Sequence, residues 1–145
     1  MSEPVTEETA VVYPELKDFE IDVFNELCPA MDTVVPTGNF RSEEVYEIES
    51  FPTCTFARVD TMPDWKREST SDFEDYTVET YEANVYALSK AECSTIMNTL
   101  AERLRQMNFR RLSMRPVKNY NDPRVKRIVA RFEIKIDNQG QMYRT

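Results

Sequence analysis

The 145-residue chain has no histidine and only two glycines, Gly38 and Gly140. Without histidine it lacks the commonest general base near neutral pH and the commonest zinc ligand. With its glycines so far apart it has no glycine-rich loop to cradle a phosphate. Cys28, Cys54 and Cys93 form no C-x-x-C pair, and their odd number argues against a secreted disulfide framework. No apolar run approaches the roughly 18 residues of a membrane span. The N-terminus also lacks a basic region followed by an apolar one. These absences predict a soluble, cytoplasmically made product with no cofactor and no membrane partner.

What is present is ordinary in amount and uneven in place. Apolar residues make up 41% and charged residues 30%, as in a soluble globular protein of one domain spanning 1–145. The net charge of −8 splits into −16 over residues 1–86 (21 acidic, 5 basic) and +8 over residues 87–145 (5 acidic, 13 basic). Blocks of opposite sign can neutralise each other within one fold. They can equally give a subunit two complementary faces, so that copies stack head to tail.

The local patterns order themselves along the chain. Residues 1–12 read as a flexible acidic start. Pro14 suits the first turn of a helix, and Leu16, Phe19, Val23, Phe24 and Leu27 follow at helical spacing until Pro29 stops the pattern. Residues 30–42 read as a connector. Two β-like stretches, VYEIES and TCTFARVD, flank Phe51-Pro52, and residues 61–75 read as an extended loop or arm carrying the chain's one tryptophan. Tyr76–Leu88 alternates as a strand with Thr77, Glu79, Tyr81, Ala83, Val85 and Ala87 on one face. Ser89 is an N-cap with Glu92 three residues on, and Cys93, Ile96, Met97, Leu100, Leu104 and Met107 mark one helical stripe, which makes Cys93 a buried thiol. Asn108 can take the left-handed conformation that ends a helix. A short strand over Arg110–Lys118, a turn at NYNDP and a strand over Arg124–Ile136 follow, with a flexible tail at 138–145. The expected fold class is α+β: a mostly antiparallel sheet with two amphipathic helices packed on it and one long extended loop.

Candidate chemistry is sparse. Glu133 and Lys135 with Asp122 upstream are the best match to a metal-dependent nuclease, but the spacing is loose and an ion pair on one strand face accounts for them as well. Asp60, Asp64 and Glu68 read as solvated loop acids rather than a metal cluster. Nucleophilic catalysis has no histidine to serve a cysteine or serine. The basic face of Arg110, Arg111, Arg115 and Lys118, continued by Arg124, Lys126, Arg127 and Arg131, could meet nucleic-acid phosphates. Aromatics are not interleaved with it, and an acidic protein neighbour suits the same residues.

The segments YTVETYEANVYALSKAECSTIMNTLAERLRQMNFRR and KNYNDPRVKRIVARFEIKID resemble the tail terminator, or tail-completion, proteins of long-tailed (siphovirus-type) bacteriophages. The matching positions are Asn84, Val85 and Tyr86 closing a strand, Lys90 starting a helix, Phe109 where that helix ends, Asn119 and Asp122 in an N-x-x-D turn, and the spaced Arg127 and Arg131. Asn108 stands where the family has glycine. The likeness covers Tyr76 to Asp137 closely and the N-terminal helix loosely, and leaves the region between Pro29 and Asp75 unassigned.

The resemblance implies a non-enzymatic virion protein at the head–tail junction, assembled in the bacterial cytoplasm. It would form a ring, usually a hexamer, that caps the tail tube, ends its polymerisation and presents the head-docking surface. Its partners would be further copies of itself, the tail tube protein and a head-completion or connector protein, with DNA only passing through the lumen. Within that reading Met62, Trp65 and Arg67 are expected at an inter-subunit or tube contact, since Trp and Arg are favoured interface anchors. Arg127 and Arg131 are expected to meet a neighbour's acidic face. The rival readings are a head-completion or neck connector of the same virion, a dimeric DNA-binding regulator and the metal-dependent nuclease.

Overall fold

A computed structural model of the chain describes residues 19–42, 50–63, 76–118, 122–137 and 139–145. In chain order it contains α1 (Glu20–Met31), β1 (Phe40–Arg41), β2 (Thr53–Pro63), β3 (Tyr76–Ala87), α2 (Lys90–Gln106), β4 (Arg110–Val117), β5 (Lys126–Asp137) and β6 (Met142–Tyr143). The strands make one sheet in the order β1-β2-β3-β5-β4, with β6 beside the far end of β5. Every pairing is antiparallel except the two-residue contact of β1 with β2. The fold is α+β, as the sequence predicts.

The physical reasons are local ones. In α2 the stripe of Cys93, Ile96, Met97, Leu100 and Leu104 is fully buried, and each such aliphatic side chain contributes roughly 1.5–3 kcal/mol by leaving water. The Ser89 hydroxyl accepts the Glu92 N–H at 3.1 Å, which satisfies one of the helix's open donors. The helix ends where Asn108 turns left-handed at φ 75°, and the Phe109 N–H then donates back to the Leu104 carbonyl at 3.0 Å. Along β5 the alternation places Ala130, Phe132, Ile134 and Ile136 in the core. Tyr81 of β3 stacks on Phe56 of β2 at 5.0 Å and meets Phe109 edge-on at 5.6 Å. One apolar cluster joins these strands to Val23, Leu27 and Met31 of α1, so both helices lie on the same face of the sheet.

Three expectations are corrected. Pro29 does not end the first helix, which continues to Met31. In the last turn a proline removes a single N–H, and the Asp32 N–H still reaches the Cys28 carbonyl at 2.9 Å while Met31 is driven into the core. Residues 61–63 of the arm expected at 61–75 belong instead to β2, which runs on through Pro63, paired to Thr77. A bulge between Arg58 and Asp60 resets the register, so the polar residues Asp60 and Thr61 pair with Thr80 and Glu79 by backbone bonds that need no apolar alternation. The tail also folds back, with Met142 and Tyr143 pairing against Ile136 and Lys135. The Asp137 carboxylate organises that return by accepting from the N–H groups of Gln139 and Gln141 and from the Tyr143 hydroxyl, each at 2.9 Å. The VYEIES stretch up to Glu49, residues 64–75 and the N-terminal segment through Asp18 lie outside the described residues.

Candidate assembly surface

Strand alternation sends every second side chain to the sheet face opposite the helices, and the register lines these up in rows. One row joins Ala57, Glu82, Arg131 and Ser113, and the next joins Asp60, Thr80, Glu133 and Arg110. Arg131 Nε donates to Glu82 Oε2 at 3.1 Å. Arg110 Nη2 donates to Glu133 Oε1 at 2.9 Å, and its Nε donates to the Thr145 hydroxyl at 3.0 Å. Partial burial raises the Glu133 carboxyl, but hydrogen bonds from Arg110 and Thr145 outweigh it and hold the group below the ordinary carboxylate range. Arg127 donates through Nε and Nη2 to Asn84 Oδ1 at 3.0 and 2.7 Å, and its guanidinium lies over the Tyr86 ring at 5.4 Å. The face is thus a lattice of cross-strand charge pairs.

The residues singled out in the sequence fall in different places. Arg127 and Arg131, expected to meet a neighbour, each hold a partner within their own subunit, while Arg131 keeps 51% of its side chain exposed. Arg111, Arg115 and Lys118 are exposed along or just beyond β4, the last strand of the sheet. Met62 is 51% exposed beside Val78 at the end of β2, while Trp65 and Arg67 lie outside the described residues. The nuclease set is not assembled. Asp122 is held by Arg124 through two contacts of 3.0 Å, and Glu133 lies seven residues beyond the start of β5, about 23 Å along a strand. Among the described residues no group of three or more His, Cys, Asp or Glu could hold a metal ion.

Two features go beyond the sequence reading: the burial and partners of Glu79, and an apolar groove. Glu79 is only 2% exposed on the core face of β3. Its Oε1 accepts the Tyr81 hydroxyl at 2.6 Å and its Oε2 lies 3.5 Å from Arg58, which also approaches Glu20 of α1 at 3.9 Å. Burial, and then the bond to Glu79, push the Tyr81 hydroxyl far above its usual range. The signal was a lone acid in an otherwise apolar alternation. The second feature is a groove of about 780 Å³ between the first turn of α2 and the ends of β4 and β5. Pro116, Val117, Val125 and Ile128 supply apolar surface, with Lys90, Lys118 and Lys126 around it. Its helical wall and its strand walls are far apart in sequence, so no local pattern announces it. Cys93 borders the groove as a buried thiol that donates to the Lys126 carbonyl at 3.3 Å, and burial raises its pKa.

No model of a known protein family matches this chain, and no curated protein matches it in sequence. The described residues present a sheet face of cross-strand charge pairs with an apolar groove at its basic end. That surface offers ordered charge and shallow apolar relief suited to another macromolecule.

Proposed function

We propose that the chain is a virion assembly protein that forms a ring, a hexamer by the family resemblance, on the end of a phage tail tube. The ring stops tube polymerisation and presents the surface to which the head docks, with DNA passing through its lumen. Its partners are other copies of itself, the tail tube protein and a head-completion or connector protein.

The observation that carries this reading is where the charge lies in the fold. The helix α1 holds Glu20, Asp22 and Glu26 and no lysine or arginine, and it packs on β2 toward one side of the sheet. The opposite side ends in β4 with Arg110, Arg111 and Arg115, followed by Lys118. A subunit with acids gathered on one flank and arginines on the other favours head-to-tail contacts over two-fold ones, and such contacts form a ring where the rotation between copies closes. The unit that resembles the tail terminators, Tyr76 to Asp137, comprises β3, α2, β4 and β5, and that resemblance supports the same conclusion.

The test is the place of the protein in purified virions together with the tail lengths of particles lacking it. A ring between tube and head, with overlong tails in its absence, is the expected result. Tails of normal length with unjoined heads move the role to a neck connector. Absence from the particle removes the structural role altogether and returns the DNA-binding regulator.

A further inference from the structure

The apolar groove at the basic flank has a counterpart on the acidic one. Ile21 in the first turn of α1 is 66% exposed, the most exposed large apolar side chain among the described residues. Asp22 is its immediate neighbour, Asn25 follows one turn on, and Glu26 keeps 61% of its side chain in solvent while accepting from Arg103 at 3.0 Å. No cation interrupts this helix. The outward side of α1 is therefore an apolar knob set among carboxylates. The groove is its inverse: Val117, Val125 and Ile128 offer apolar contact, and Lys90, Lys118 and Lys126 carry the opposite charge. At about 780 Å³ it has room for a branched side chain with part of its helix turn.

We infer that the groove between α2 and the ends of β4 and β5 receives the outward side of α1 from a second copy of this chain. Ile21 enters the apolar part, and Asp22 meets the ammonium groups of Lys90 and Lys126. The two patches are different surfaces on opposite flanks of the sheet, because α1 packs by β2 and the groove opens by β4. The contact is therefore heterologous, leaving every copy in the assembly with one knob and one groove to pass on. Exclusion of water around Ile21 makes the surrounding charge pairs matter for register and for rejecting wrong partners. This assignment rests on the ring proposed above and names the surfaces that would build it.

The experiment uses the full chain, followed by sedimentation velocity and light scattering, with circular dichroism and melting to check the fold. One variant is Ile21→Asp, which removes the knob. The other joins Lys90→Glu with Lys126→Glu, which reverses the groove. Positions 21 and 90 both lie in the first turn of a helix, where an introduced acid complements the dipole and spares the fold. Each variant alone is expected to stay folded and monomeric. A mixture of the two is expected to give a one-to-one dimer and nothing larger, since only one intact knob and one intact groove remain between them. Adding Asp22→Lys to the groove variant is expected to recover larger assemblies. A ring unchanged by both sets of substitutions, or a mixture that yields no dimer while the wild type forms rings, overturns this interface and leaves the ring reading standing. A wild-type chain that forms no ring alone or on purified tail tubes overturns both.

Discussion

Ile134 is fully buried beneath the helices, whereas Arg131, on the opposite face of the same strand, leaves half of its side chain in solvent and reaches across to Glu82. The two faces of β5 obey different rules. On the helix side an apolar side chain of suitable volume finds its place because the whole layer excludes water, and contacts are many and individually weak. On the open side each charge depends on one particular partner, brought opposite it by a register that no local pattern encodes. The first face carries stability. The second leaves charge available to a partner, and it can be altered with little cost to the fold.

Replacing Phe132 with alanine tests the first half most severely. The side chain is 1% exposed and paired with Tyr81 across β3 and Arg111 across β4. Truncation is expected to cost about 3–5 kcal/mol, read as a lowered urea midpoint with the slope unchanged. Arg131→Ala on the opposite face is expected to cost no more than about 1 kcal/mol. If the two variants lost similar stability, the contrast between the faces would be wrong.

The buried acid blurs the contrast, and the next variant sharpens it there. Tyr81→Phe keeps the ring and its stacking on Phe56 but removes the donor at 2.6 Å from Glu79. Loss of a hydrogen bond to a buried charged group is expected to cost about 1.5–3 kcal/mol. Equilibrium unfolding of the variant measures it. A change under about 0.5 kcal/mol, the size of a neutral surface substitution, would mean that the carboxylate finds its full complement elsewhere.

Legibility in the sequence follows the same division. The stripe of α2, its Ser89 cap, the Asn108 stop and the alternation along β3 and β5 are local and periodic, and they stand in the structure as read. The extension of β2 through Asp60 and Thr61 was hidden because its residues are held by backbone pairing rather than by an apolar face. The β6 return was hidden because it depends on one carboxylate, Asp137, and on Gly140, whose φ of +87° lets the chain turn against Phe19. At the candidate surface the residue types were legible and their partners were not. Nothing near Arg127 in the chain points to Asn84, which lies forty-three residues away.

Asp137 gives a smaller, local effect with a definite sign. Burial raises its carboxyl, but hydrogen bonds from Gln141, Tyr143, Gln139 and Gly140 together hold it below its ordinary value of 3.8. A carboxyl depressed in the folded state contributes stability that is fully present above its unfolded value and is lost as pH falls through the folded one. The β6 return is therefore expected to loosen below about pH 3.8. Amide exchange at Met142 and Tyr143 reads this directly. Asp137→Asn should loosen the same amides at neutral pH and leave them insensitive to acid. An Asn variant that retained the wild-type acid transition would assign that transition to another group.

The smallest expected effect on the fold tests what the open face is for. Arg131→Glu places like charges opposite each other at Glu82, worth about 1 kcal/mol or less for so exposed a pair. Melting should therefore move by only a few degrees. The proposed ring should weaken, since 51% of the Arg131 side chain faces outward beyond its internal partner. Adding Glu82→Arg restores the pair with its polarity reversed and separates the two roles. Recovery of stability without recovery of the ring is expected, because a neighbour's acid would then meet a carboxylate at position 131. Recovery of both would mean that Arg131 serves only its own sheet, and that this face adds nothing to the flank contacts proposed to build the ring.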